Sequence, residues 1–150
     1  MKLIIDDTSL QERVFLPKGL NCLVEEIGVE EKKKLGEICI IFVSGERILE
    51  INKQYLGHQY ITDVITFDNS GKGIIKGDIF ICVEEVHRNA TYYQSGHAIE
   101  LLRVIIHGVL HLCGYGDKLE IEAKVMRSRE DYYLQEAERL QLTDRYGFKL

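Results

Sequence analysis

Residues 107–117 read HGVLHLCGYGD, and this stretch decides both the central helix and the chemistry expected of the chain. His107 and His111 are four residues apart, so on an α-helix their side chains share one face, about 40° apart. The residues directly before them, ELLRVII, are mostly apolar, which predicts a largely buried helix. Gly114 favours the left-handed conformation that ends a helix. Asp117 can then reach the two histidines, and the pattern predicts a metal site.

Two histidines and one carboxylate form a zinc-binding set whose three ligands leave a fourth position open for water or substrate. We therefore predict a catalytic site with one Zn²⁺ per chain, although iron or manganese also suits these ligands. Cys113 lies about 240° round the helix from His107 and is expected to pack. Gly108 stands where zinc metalloproteases carry a glutamate base, which argues against peptide hydrolysis. The alternative interpretation makes both histidines hydrogen-bonded core residues.

Gly108 inside a helix costs about 1 kcal/mol relative to alanine. It therefore indicates either that something approaches the backbone closely or that the helix packs tightly.

Length and composition limit the number of domains and the kinds of partner that the chain can have. The chain has 150 residues and a net charge of −5, which suits a single domain over residues 1–150. The negative charge argues against coating of nucleic acid, although a cleaving enzyme need only be locally positive. An apolar run of about 18 residues and a charged-then-apolar leader are both missing, so we expect a cytoplasmic protein without a membrane partner. The cysteines, expected to be reduced thiols, are Cys22, Cys39, Cys82 and Cys113.

Hydrophobic periodicity predicts strands and helices that are interleaved without strict alternation, which favours an α+β domain. Strands are predicted over residues 2–6, 38–43, 62–67 and 78–81, giving a sheet of about four strands. Helices are predicted over residues 20–35, 45–55, 83–93 and 120–140, together with the helix that carries the two histidines. In the last helix, the side chains expected to face the core are Val125, Met126, Tyr133 and Leu134.

Three blocks of the chain resemble the YbeY family, bacterial endoribonucleases that act in ribosomal RNA maturation. Residues 107–117 resemble the family signature His-Gly-x-Leu-His-Leu-x-Gly-Tyr-Asp-His. Asn52-Lys-Gln-Tyr55 followed by Thr62-Asp-Val-Ile-Thr-Phe67 resembles Asn-x-x-Tyr and Thr-Asp-Val-Leu-Ser-Phe, and Gly77-Asp-Ile-Phe-Ile81 is the third block. The resemblance covers roughly residues 40 to 135. It implies a mixed sheet packed against helices, with the metal site on a buried helix in a cleft.

Two departures from the family pattern fall at functional positions. Asp117 stands where the family usually has its third metal-binding histidine, and Leu56 stands where it usually has an arginine thought to serve RNA cleavage. Arg103, four residues before His107, projects from the same helix face, where its guanidinium could contact a phosphate and serve catalysis. The alternative is that Arg103 pairs with a carboxylate such as Glu100.

The resemblance implies a metal-dependent endoribonuclease, a hydrolase that cleaves single-stranded regions of ribosomal RNA at an open His107, His111 and Asp117 site. Its expected partners are ribosomal RNA or a ribosomal subunit. Two alternatives stay open: a non-catalytic ribosome-assembly factor with a structural metal, and a metallohydrolase of another substrate. Asp63 is expected to bond turn backbone at the start of a strand. His58 and His87 have no spacing that marks them as ligands, and His97 is a candidate surface cap where the histidine-bearing helix begins, so all three are left out of the site.

Overall fold

A four-stranded mixed sheet organises the computed structural model, which describes residues 1–11, 13–142 and 147–148. The strands are β1 (Lys2–Asp6), β2 (Val14–Phe15), β3 (Lys34–Val43), β4 (Val64–Asp68), β5 (Ile74–Cys82) and β6 (Gly147–Phe148). The α-helices are α1 (Leu20–Glu30), α2 (Gly45–Ile51), α3 (Val83–Tyr92), α4 (His97–Leu112) and α5 (Glu120–Arg139), and a π-helical segment, Asn52–Leu56, follows α2.

The sheet has the order β1-β3-β5-β4. Strand β3 pairs in parallel with β1 and β5, whereas β4 pairs antiparallel with β5. Strands β2 and β6 form a separate antiparallel pair. The described residues therefore form an α+β domain with a mixed sheet, as predicted, while the predicted domain over 1–150 also includes residues 12, 143–146 and 149–150, which lie outside them.

Both faces of the sheet carry apolar clusters. Strands β3, β4 and β5 contribute to both clusters because their successive side chains point to opposite sides. On one face, Ile40, Phe42 and Ile79 join the main core with apolar residues of α1, α4 and α5. On the other face, Val43 and Ile65 pack in a smaller cluster with apolar residues of α2. Helix α4 thus lies directly against the sheet, which fixes the position of its histidines.

The end of α1 differs from the sequence prediction. A helix was expected to continue to residue 35, but α1 ends at Glu30 and β3 begins at Lys34. Lys32 lies between them with a left-handed φ of 57°, a conformation that breaks helical hydrogen bonding. The chain therefore turns and enters the sheet before the predicted helix is complete.

The side chains of helix α5 that face the core differ in part from the prediction. Met126 and Tyr133 are buried and Leu134 is half-buried, as predicted. Val125 is 45% exposed and does not face the core. The physical reason is that the helix buries only a narrow stripe, so the neighbour of a buried position points to solvent.

The four cysteines, all within the described residues, are free thiols, as expected. None of the described helices combines the length and the apolar character needed to cross a membrane.

Candidate metal centre

Helix α4 places His107 and His111 on one side of a mostly buried apolar helix. Its end is sharp: Gly114 adopts φ +107°, and its backbone N–H donates to the carbonyl of His111 at 3.0 Å. The N–H of Tyr115 donates to the carbonyl of Leu110 at 3.1 Å. A glycine in the left-handed region is the usual way for a helix to end and reverse the chain. The reversal brings Asp117 back to the histidines.

Three side-chain atoms converge at this end of α4. The Nε2 atoms of His107 and His111 are 3.0 Å apart. Oδ2 of Asp117 lies 3.3 Å from Nε2 of His107 and 3.2 Å from Nε2 of His111. This His/His/Asp group, predicted from the sequence, could hold a metal ion.

The outer nitrogen of each imidazole has its own partner. Nδ1 of His111 donates to the backbone carbonyl of Tyr115 at 2.8 Å, because a carbonyl can only accept. Nδ1 of His107 lies 2.7 Å from Oε2 of Glu130. When the Nδ1 atoms carry the protons, both Nε2 atoms present lone pairs toward Asp117. Three acceptors then face one another without a donor, an arrangement that a cation stabilises.

The spacing of these atoms fits zinc. Ligands at about 2.0–2.1 Å from a tetrahedral Zn²⁺ are separated by roughly 3.3 Å. The three observed separations are 3.0, 3.2 and 3.3 Å. The residues present therefore suit a small divalent cation without rearrangement of the backbone.

Glu130, which sequence analysis missed, orients His107 from helix α5. It is only 5% exposed, and its Oε1 accepts from Arg103 at 3.0 Å. Burial raises the pKa of Glu130, but hydrogen bonds from His107 and Arg103 outweigh burial and lower it. Burial lowers the pKa of His107, but Glu130 and then Asp117 and Asp63 outweigh burial and raise it. Glu130 is therefore a carboxylate held ionised against the imidazole.

Arg103 lies on the predicted face of α4, and its guanidinium is engaged by carboxylates. It pairs with Glu130 at 3.0 Å and with Asp131 at 2.9 Å, while Glu100 is 3.8 Å away. The pairing with carboxylates that the sequence left open is thus present. A contact between Arg103 and a phosphate stays a prediction.

The turn that carries Tyr115 is tied to helix α1 through Glu31. The hydroxyl of Tyr115 donates to Oε1 of Glu31 at 2.6 Å, and Arg129 donates to Oε2 at 2.6 Å. Tyr133 also donates to Oε2. Burial raises the pKa of Glu31, but these three hydrogen bonds outweigh it and lower the pKa. The turn whose carbonyl binds His111 is therefore held by Glu31, directly after α1, and through it by two residues of α5.

Comparison with known proteins decides the family. The family model described as Endoribonuclease YbeY matches residues 6–138. The chain belongs to the YbeY family.

Named relatives and a solved structure agree with this membership. The chain is 48% identical over 108 residues to the Endoribonuclease YbeY of Flavobacterium psychrophilum, covering 72% of this chain and 77% of that protein. It is 46% identical over 112 residues to that of Azobacteroides pseudotrichonymphae, covering 75% and 81%. The solution structure of TM1509 from Thermotoga maritima aligns with a TM-score of 0.62 at 30% identity, covering 94% of this chain and 92% of that one.

In this YbeY chain, the His/His/Asp group opens onto two clefts. The first cleft has a volume of about 550 Å³ and includes Arg103 and Glu130 in its wall. The second has a volume of about 450 Å³ and includes His111 and Leu56. The residues that line both clefts are Asp63, Val64, His107 and Asp117. A strand of substrate could therefore approach the group from two sides.

The carboxylate of Asp63 bonds backbone at the start of β4, as predicted, through Asp63 itself and Val64, and it also lies in the site. Its carboxylate lies between Thr62 and Asn89, each 3.4 Å away, at the junction of the two clefts. Burial raises its pKa, and the charge of His107 opposes that effect. Its position in the Thr-Asp-Val block is the signal that could have marked it as part of the site.

Proposed function

We propose that this chain is a metal-dependent endoribonuclease that cleaves single-stranded regions of ribosomal RNA in the cytoplasm. The observation that carries the proposal is the convergence of two Nε2 atoms and one carboxylate oxygen within 3.0–3.3 Å, in a chain whose relatives are named endoribonucleases. Ribosomal RNA or a ribosomal subunit is the proposed partner.

The proposed ligands are His107, His111 and Asp117, and the proposed metal is one Zn²⁺ per chain. A divalent ion bound there would act as a Lewis acid on a phosphoryl oxygen. Three protein ligands leave a coordination position for substrate, whereas structural sites are usually closed by a fourth protein ligand. Within the described residues, the group has three members and opens onto two clefts. This openness favours an enzyme over a factor with a structural metal.

The surrounding residues prepare the ligands for a cation. Glu130 and the carbonyl of Tyr115 hold protons on the Nδ1 atoms, which leaves the Nε2 lone pairs free to bind. Asp63 adds a carboxylate at the junction of the clefts, where it can accept a proton from an incoming group. Arg103 keeps Glu130 ionised, and a phosphate would have to compete with the two carboxylates that already bind its guanidinium.

Cleavage of a defined RNA tests the proposal. Zinc-loaded wild-type protein and His111→Ala, purified identically, are incubated with a single-stranded RNA and with a duplex of the same sequence. We expect fragments from the single strand with wild type, and a loss of about 100-fold or more with His111→Ala, because the metal supplies several kcal/mol to the transition state. Thermal unfolding of both metal-free proteins controls for misfolding.

Two results would overturn this function. Equal cleavage by wild type and His111→Ala would assign the activity to a contaminating nuclease. RNA binding without cleavage by the zinc-loaded wild type would instead support the non-catalytic assembly factor, which the leucine at position 56 favours.

A further inference from the structure

The second cleft has the features of a nucleotide-binding site beside the metal ligands. We infer that it is the subsite for one nucleotide of single-stranded RNA, with the base on the rings of His58 and Tyr60 and the phosphate on Lys118. The inference rests on the proposed function and names where that site takes its substrate. All three residues line the cleft that also contains His107 and His111.

The two rings form a platform before any ligand binds. Their centroids are 5.2 Å apart with an interplanar angle of 15°, so the rings are stacked. The hydroxyl of Tyr60 and Nδ1 of His58 are 3.1 Å apart, which holds the pair together. Tyr60 is nevertheless 56% exposed. An exposed, pre-oriented aromatic surface suits stacking of an unpaired base, because little conformational freedom is lost on binding.

A buried amide anchors the loop that carries this platform. Asn52 is only 1% exposed, and its Nδ2 donates to the backbone carbonyl of Tyr60 at 2.8 Å. The loop begins where Gly57, with φ +69°, ends the π-helical segment. The aromatic pair is therefore held in the wall of the cleft by a contact with the body of the domain.

The cleft also contains an unused polar group. The hydroxyl of Thr66 is buried and has no hydrogen-bond partner among the described residues, and Thr66 lines the same cleft. Buried hydroxyls are nearly always paired in proteins. The accessible surface of this hydroxyl is almost nil, so a ligand in the cleft meets it only when the Thr66 side chain rotates.

The second cleft has several negative side chains and one positive side chain that can bind a phosphate. Asp63, Asp68 and Asp117 contribute carboxylates to its wall, and these repel an anion. Among the lysines and arginines of the described residues, Lys118 alone lines this cleft. Lys118 is exposed and directly follows Asp117 in the chain, so its ammonium can reach a phosphate next to the metal ligands.

These features together select a single strand. In a duplex the bases are stacked inside the helix, so their faces cannot reach an aromatic platform, whereas unpaired bases can be splayed onto one. The ring pair of His58 and Tyr60 can take one base, and the ammonium of Lys118 can take one phosphate. The inferred ligand is therefore one nucleotide of an unpaired segment.

Binding of a fluorescein-labelled oligouridylate of about ten nucleotides tests the inference. Its Kd is measured by fluorescence anisotropy on the full chain carrying His111→Ala, which the proposed function predicts to cleave at least about 100-fold more slowly. Its KM is measured on zinc-loaded protein with His111 intact. Tyr60→Leu and Lys118→Gln are compared with Tyr92→Leu and Lys124→Gln, whose parent side chains lie outside both clefts.

We expect Tyr60→Leu to raise both Kd and KM about tenfold, because one stacked base is lost. Lys118→Gln is expected to raise them several-fold and to reduce the salt dependence of log Kd by about 0.7, the loss of one phosphate contact. Lys118→Arg should restore most of the affinity. Tyr92→Leu and Lys124→Gln should stay within about twofold of the parent protein, since neither touches RNA in this arrangement.

Two outcomes would overturn the inference. If Tyr60→Leu and Lys118→Gln bind and cleave RNA as their controls do, the subsite is wrong and the proposed function stands. If the protein with all of these residues intact neither binds nor cleaves the oligouridylate or any single-stranded ribosomal RNA fragment, both are wrong. Tyr60→Phe keeps the ring and loses the hydrogen bond to His58, so its affinity should lie between those of the parent protein and Tyr60→Leu.

Discussion

Glu130 on helix α5 lies with its Oε2 atom 2.7 Å from Nδ1 of His107 on helix α4, so a buried carboxylate orients one of the two candidate imidazole ligands. Its other oxygen accepts from Arg103. The pairing fixes the tautomer in which the lone pair of Nε2 points toward Asp117. A carboxylate behind a histidine ligand also raises the basicity of that ligand.

Replacement of Glu130 should weaken metal binding. We expect Glu130→Gln to lower zinc affinity about 10- to 100-fold, because loss of a partner behind a ligand histidine has effects of that size. Asp131→Asn is the matched control, since Asp131 pairs with Arg103 and makes no contact with His107. Competition with a chelating indicator at one pH measures both affinities. Equal affinities for the two variants would show that Glu130 does not orient His107.

Arg103 is expected to act through Glu130. We expect Arg103→Met to lower the free energy of unfolding by about 2 kcal/mol, because a mostly buried carboxylate loses its cationic partner. Urea unfolding of the metal-free protein measures the effect, and Arg127→Met is the control because Arg127 is an exposed arginine of the same cleft. An Arg103→Met protein of unchanged stability but with RNA affinity reduced tenfold or more would instead support a direct phosphate contact.

The stability of the protein should fall in acid because of Glu31, which accepts hydrogen bonds from Tyr115, Arg129 and Tyr133. The pKa of Glu31 is lowered in the folded state, so its contribution to stability is present above its ordinary pKa of 4.5. That contribution is lost as the pH falls through 4.5 toward the folded value. We expect Glu31→Gln to be less stable by about 1–3 kcal/mol at neutral pH and to lose less stability in this acid range.

Unfolding in urea at several acidic and neutral pH values measures the Glu31 effect. Glu30→Gln is the matched neighbour, because Glu30 is exposed and bonds only to the hydroxyl of Tyr132 in the described contacts. Parallel pH profiles for the wild type and Glu31→Gln would contradict the assignment of the ionised cluster to Glu31.

Gly108 should tolerate no side chain. A Cβ atom there would lie 2.7 Å from Cγ2 of Ile79 and 2.9 Å from its Cδ1, and Ile79 is fully buried. We expect Gly108→Ala to destabilise the protein by about 1–3 kcal/mol, although alanine is the better helix former. Gly71→Ala, with nothing within 4 Å of the added atom, is the control. A Gly108→Ala protein at least as stable as wild type would contradict tight packing of α4 on the sheet.

The local parts of the site could be predicted from the sequence. His107, His111 and Asp117 lie within one helix and the turn after it, so helical periodicity and the glycine that ends the helix suffice to bring them together. Periodicity likewise predicts the four strands of the mixed sheet. The predicted strand 62–67 begins too early, because Thr62 and Asp63 come before β4. No pattern in the sequence marks the π-helical segment after α2.

The supports of the site could not be predicted. Glu130 contacts the ligand His107 from 23 residues away in the chain, and Glu31 contacts Tyr115, whose carbonyl binds His111, from 84 residues away. Acidic residues are common on exposed helix faces, and only tertiary packing singles out these two. The packing of Gly108 on Ile79 selects tight helix packing from the two interpretations that the sequence left open.

Whether His107, His111 and Asp117 bind a metal ion is decided by the metal content of the protein. Protein purified without a chelating affinity tag is loaded with zinc, desalted and assayed for metal per chain, beside His111→Ala and beside His58→Ala, whose exposed histidine lies outside the ligand group. We expect about one ion per chain in the wild type and in His58→Ala, and almost none in His111→Ala. No bound metal in the wild type, or an equal amount in His111→Ala, would contradict the ligand set and the catalytic role built on it.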